Sequence, residues 1–113
     1  MALEDLQFKE RGDAVVARFV GEIDLSNAAS VKDRLLQAVP NTATALVLDL
    51  SGTAYVDSSG VRLIFELAER LRSRGQKLEL VVPDDSRIKR VLLLTEVQQV
   101  VSMSNSVEGA LGH

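Results

Sequence analysis

Cysteine is absent from the 113 residues, so disulfide frameworks, thiolate metal sites and a cysteine nucleophile are all excluded. That absence also fits a reducing compartment. Tryptophan is missing too, and aromatics make up only 4%, so any core has to be built from Leu, Val, Ile and Ala. No basic surplus exists: the net charge is −3 and the pI is near 5.1, the opposite of what a nucleic-acid-binding surface needs. Long apolar runs are lacking as well. Val91-Leu94 is typical of what there is, far below membrane-spanning length. The opening "MALEDLQFKERG" is acidic and poor in apolar residues, so no signal peptide is expected. These absences lead to the expectation of a cytoplasmic protein that binds neither membrane nor nucleic acid.

What is present is ordinary for a globular chain: 46% hydrophobic and 26% charged residues, in a length that suits one domain. No repeat, low-complexity tract or linker interrupts it. "LQFKERGDAVVARFVGEID" reads as two strands joined at Arg11-Gly12-Asp13. "SNAASVKDRLLQAV" reads as a helix capped by Ser26, with Pro40 just past its end. "TALVLDLS" is a continuous apolar run of the kind covered on both faces of a sheet with parallel pairs. Asp49 within it is expected at the strand's end or satisfied by backbone groups. From Gly60 to about Arg74 a helix is expected. It has Val61, Ile64, Phe65, Ala68 and Leu71 on one face, pairs Arg62/Glu66 and Glu66/Arg70 on the other, and Gly75 as its end. "KLELVV" reads as a strand, "DDSRIKRVLLLT" as a third helix and "VQQVVS" as a weak strand. "NSVEGALG" reads as a last short helix, with Asn105 and Glu108 at capping-box spacing, and Val91-Leu94 as core plus one exposed residue. The expected order is ββαβαβαβα: an α/β fold with helices packed on a mixed sheet.

The chemistry concentrates at Asp57-Ser58-Ser59-Gly60, where the apolar strand meets the helix. One reading is a well-made helix start, because Ser is among the best N-caps and an acid suits the helix dipole. Three details favour a second reading. One cap needs only one hydroxyl. Gly60 lowers helix propensity by up to about 1 kcal/mol relative to Ala, and its missing Cβ lets another molecule come close. The junction also emerges at a strand's carboxyl end, where ligands gather in α/β sheets. A nucleophilic serine is poorly supported. The only histidine is the terminal His113, none of Lys9, Lys32, Lys77 and Lys89 sits in an S-x-x-K setting, and no G-x-S-x-G elbow is present. One glycine without an adjacent lysine is no phosphate loop. A serine that is itself a substrate fits better. Phosphate at a helix N-terminus is tolerated by the fold, and its added charge of about −1.5 to −2 beside Asp57 can abolish a protein contact.

The segments "GEIDLSNAASVKDRL", "LVLDLSGTAYVDSSGV" and "RIKRVLLLTEV" resemble the STAS-domain anti-sigma-factor antagonists of bacteria, a likeness running from about residue 6 to about 111 of a single domain. The resemblance implies a non-enzymatic partner switch with no cofactor. The unphosphorylated antagonist binds an anti-sigma factor that is also a serine kinase, which frees a sigma factor. Phosphorylation ends the contact and a serine phosphatase restores it. By the same resemblance Ser58 is the phosphate acceptor and Ser59 its neighbour and helix cap. Asp57 precedes the acceptor, and Asp24 is the acidic loop residue near it; turn chemistry explains Asp24 nearly as well. Many members continue the motif as Gly-Leu-Gly, whereas this chain has Gly60-Val61-Arg62, which places a large cation beside the docking surface. Two rival readings stand beside the switch. One is an unphosphorylated STAS interaction module of a larger assembly, such as a stress-signalling scaffold or a lipid-transport system. The other is a sensor of a small molecule or nucleotide, using the cleft at the strand ends.

Overall fold

Arg11, Gly12 and Asp13 do reverse the chain. The computed structural model describes residues 5–112, and in it β1 (Asp5–Arg11) and β2 (Ala14–Ile23) form an antiparallel hairpin, with Gly12 at a φ of 63°. His113 lies outside the described residues. Next come α1 (Ala28–Ala38), β3 (Ala45–Val56), α2 (Ser58–Ser73) and β4 (Lys77–Val81). The chain then forms α3 (Lys89–Leu93), a 3₁₀ turn (Val97–Gln99), β5 (Ser102–Ser104) and α4 (Val107–Ala110). The five strands lie side by side in chain order, and every pair after the first is parallel. The ββαβαβαβα order and the mixed sheet are as the sequence leads one to expect.

One face of the sheet carries the core. Phe19, Ile23, Leu46, Leu48, Leu50 and Leu80 meet Val31 and Leu35 of α1 and Leu63, Ile64, Leu67 and Leu71 of α2. Burial of each such side chain stabilises by about 1.5–3 kcal/mol, so an aliphatic core suffices. The other face is only partly covered, by α4, whose Ala110 packs with Val16, Val47 and Val81. Among the described residues no helix is long and apolar enough to cross a membrane.

Strand β3 runs beyond the apolar segment "TALVLDLS", as far as Val56. Arg18 lies opposite Asp49, but Val20 lies opposite Gly52; Gly21 lies opposite Thr53, but Glu22 lies opposite Tyr55. Each shift inserts one extra residue in β3, a bulge, so the pleat breaks at Ser51 while the strand continues to Val56. Asp49 is therefore inside the strand rather than at its end. Its Oδ1 accepts from the Ser51 N–H at 3.0 Å, and Arg18 Nε stands 4.0 Å from Oδ2. The Arg18 side chain crosses above Gly52, where a Cβ would lie 2.9 Å from Val20 Cγ2 and 3.2 Å from the guanidinium. The buried Thr53 hydroxyl donates to the Phe19 carbonyl at 2.9 Å beside the first shift.

Other local expectations are corrected. Asn27, not Ser26, takes the cap position of α1. The third helix shrinks to Lys89–Leu93, because Asp84 and Asp85 stay in the preceding turn, where Asp84 pairs with Lys89 at 3.0 Å. The expected strand at "VQQVVS" is largely 3₁₀ turn, and β5 begins only at Ser102. Ser106, rather than Asn105, caps α4, its hydroxyl accepting from the Gly109 N–H at 3.0 Å. In Val91-Leu94 only Leu92 is buried; the other three are exposed. Gly75 does end α2, at a φ of 75°.

Candidate functional site

Helix α2 starts where the bulged end of β3 delivers it, two positions past Val56 with Asp57 between. Neither serine of the motif caps it. Asp57 does: its Oδ1 accepts from the N–H groups of Ser59 at 2.8 Å and Gly60 at 3.1 Å. Ser59 is thus a donor to the cap rather than the cap itself. Ser58 is left as the first helical residue, exposed, and its hydroxyl makes no hydrogen bond among the described residues.

The loop after β2 is fastened against this start. Asp57 Oδ2 accepts from the Leu25 N–H at 3.3 Å, and the Asp57 N–H donates to the Ile23 carbonyl at 3.2 Å. Within the loop, Asp24 Oδ1 accepts from both the N–H and the hydroxyl of Ser26. The Asn27 side chain accepts from the Asp24 N–H at 2.9 Å and donates to the Glu22 carbonyl at 2.8 Å. Asp24 is thus a turn organiser, and the loop it shapes presents Leu25 with 81% of its surface exposed. Composition and spacing gave no notice of Leu25; the one available signal was a lone large apolar residue between two turn formers.

Gly60 occupies the underside of this arrangement. It is buried and helical, and a Cβ there would lie 2.6 Å from Val56 Cγ1 and 3.1 Å from Ile23 Cγ2. The glycine lets α2 pack closely on the ends of β2 and β3, which corrects the expectation that its missing Cβ faces a visitor. Arg62 is exposed and does not pair with Glu66. Glu66 instead binds Lys32 of α1 at 2.9 Å, joining the two helices. Leu25, Ala28, Ser59, Arg62, Leu63 and Glu66 line part of a groove of about 180 Å³ between α1 and α2. The structure therefore brings Asp57, Ser58, Ser59 and Arg62 together with the Asp24 loop, and sets Gly60 beneath them.

Among the described residues no group of three or more His, Asp or Glu side chains could hold a metal ion. The groove is smaller than the roughly 300–1,000 Å³ of small-molecule sites. The groove offers an apolar knob in Leu25 and a cation in Arg62, and the exposed Ser58 hydroxyl stands at the start of the helix that forms one wall.

A family model for the STAS domain matches residues 5–110. The anti-sigma-B factor antagonist of Listeria monocytogenes is 31% identical over 107 residues, covering 94% of this chain and 92% of its own length. The anti-sigma-F factor antagonist RsfB of Mycobacterium tuberculosis is 29% identical over 92 residues, 80% of this chain and 73% of that protein. An anti-sigma factor antagonist from Mycobacterium paratuberculosis has a similar crystal structure. Its TM-score is 0.83 at 21% identity, covering 96% of this chain and 91% of that one, a likeness of fold.

Proposed function

We propose that this chain, which belongs to the STAS domain family, works as an anti-sigma-factor antagonist. It is a binding module, not an enzyme. With Ser58 unmodified it binds an anti-sigma factor that has serine kinase activity, and a sigma factor is released. Transfer of phosphate to Ser58 ends the contact, and a serine phosphatase renews it.

The observation that carries this reading is the state of Ser58: an exposed, unbonded hydroxyl on a helix start whose cap is supplied by Asp57 instead. A hydroxyl that the fold does not use can be modified without unfolding anything. Because the Asp57 carboxylate already occupies the Ser59 and Gly60 N–H groups, the phosphate gains little from the helix dipole, and it stands beside a like charge. Its effect falls on the partner. A near-dianion at an interface must shed water, and an unpaired buried charge costs several kcal/mol, which at about 1.4 kcal/mol per tenfold is a loss of a hundredfold or more. Leu25 and Arg62, which line the groove together with the neighbouring Ser59, supply the apolar and cationic parts of the contact.

The test is to incubate the protein with its cognate kinase and ATP and map the site by mass spectrometry. Phosphate on Ser58, abolished in Ser58→Ala, is expected. Ser58→Ala is expected to bind the anti-sigma factor constitutively. The authentic Ser58 phosphoprotein is expected to bind poorly while its circular dichroism spectrum matches the unmodified form. Labelling of Ser59 alone, or undiminished labelling of Ser58→Ala, overturns the assignment.

A further inference from the structure

The two borders of the sheet are unequal. β5 is three residues long, whereas β1 offers seven, and among the described residues no strand pairs with the outer edge of β1. An edge of that length is a template for another strand. The pleat places Asp5, Gln7, Lys9 and Arg11 on one face, with Leu6, Phe8 and Glu10 on the other. The second set shares its face with the main core, since Leu6 pairs with Phe19 and both belong to it. Phe8 follows along the same face, yet it is 40% exposed at the border.

We propose that the outer edge of β1 receives β1 of a second copy of this chain. The strands run antiparallel about a two-fold axis at Phe8, joining two five-stranded sheets into one. Charge order along the strand selects this geometry. In the antiparallel register Asp5 lies opposite the partner's Arg11, a contact the symmetry repeats, and Gln7 lies opposite the partner's Lys9. Phe8 meets its own counterpart and covers the exposed ring. Gln7 Nε2 already donates to Asp5 Oδ2 at 3.0 Å, which leaves Oδ1 for the arginine. A parallel, in-register copy would instead set Asp5 on Asp5, Lys9 on Lys9 and Arg11 on Arg11. An antiparallel copy displaced by one residue would put the aromatic and the charges on mismatched faces. Displacement by two keeps the faces but drops either Glu10 and Arg11 or Asp5 and Leu6 from the pairing. The two-fold arrangement also sends the Ser58 ends of the two protomers in opposite directions, so both stay open.

The test is sedimentation equilibrium over a concentration series, with circular dichroism to verify folding. The wild-type chain is expected to dimerise. Asp5→Arg and Arg11→Asp each turn two attractive contacts repulsive, and each is expected to weaken dimerisation about tenfold or more. The double variant is expected to recover it. An equimolar mixture of the two single variants is expected to form a heterodimer, since every repulsive pair is then replaced by an attractive one. A wild-type chain that stays monomeric across the series overturns the proposal, including the case in which a strand of another protein uses this edge. A dimer indifferent to both single variants, or a mixture that does not associate, overturns it equally.

Discussion

The carboxylate of Asp57 accepts from the backbone N–H of Leu25, 32 positions earlier in the chain, while its other oxygen caps helix α2 through Ser59 and Gly60. A single side chain therefore fixes both walls of the groove. Asp57→Ala is expected to cost about 1–2 kcal/mol through the lost cap. Asp57→Asn, a nearly equal cap, is expected to retain most of the stability. Denaturant midpoints of the two variants check this, and an Asp57→Ala midpoint equal to wild type would remove the cap from the account.

Gly60→Ala gives a second test. Alanine is the better helix former by up to about 1 kcal/mol, but its methyl would meet Val56 and the Ile23 side chain and carbonyl. Overpacking of this kind costs about 1–3 kcal/mol, so net destabilisation is expected. Val56 is β-branched and cannot swing away cheaply. The double variant Gly60→Ala/Val56→Ala is expected to recover part of the loss, and thermal melts of both decide.

Thr53 tests the bulged part of β3. Thr53→Val keeps the shape but strips a donor from the Phe19 carbonyl in the core beside the bulge. The expected loss is about 1–3 kcal/mol, read from urea unfolding with the slope unchanged. A loss below about 0.5 kcal/mol, the scatter of ordinary surface changes, would mean that the carbonyl has another donor.

Leu25 separates binding from folding. At 81% exposure it contributes little to the core, so Leu25→Ser is expected to leave stability within about 0.5 kcal/mol. Because the substitution removes an apolar knob on the groove, it is expected to lower affinity for the anti-sigma factor about tenfold or more. Calorimetric titration with purified partner measures this, and unchanged affinity would place the contact elsewhere.

Much of this was legible in the sequence, for identifiable reasons. Strong periodicity located α2, and its left-handed ending at Gly75 followed from the glycine. The site was visible because Asp57-Ser58-Ser59-Gly60 breaks an apolar pattern. The errors arose where tertiary partners override local preference. Ser59 has good capping chemistry, but Asp57 one position ahead of the helix holds the cap geometry. Glu66 has Arg62 at favourable spacing, yet Lys32 from the neighbouring helix takes it. Gly60 looked like an opening because nothing in one dimension says that Val56 and Ile23 lie against it. The third helix and the strand after it were misjudged because "RVLLLTEVQQVV" is apolar without a clear period, and such runs fit helix, turn or strand alike.

The two bulges of β3 act as a pair. Each extra residue reverses the facing of everything after it, so together they cancel, and Val56 still points into the core opposite Ile23. Deletion of one residue from the segment 50–55 is expected to be absorbed by the loss of one bulge, with Val56 kept opposite Ile23 and Asp57 still bonded to it. From Asp49 to Val56 the chain takes seven steps to cover what β2 covers in five, from Arg18 to Ile23. The far end of β3 thus holds two residues in reserve, and the place of the Ser58 hydroxyl above the sheet is set by β2, whose last residue, Ile23, anchors Asp57.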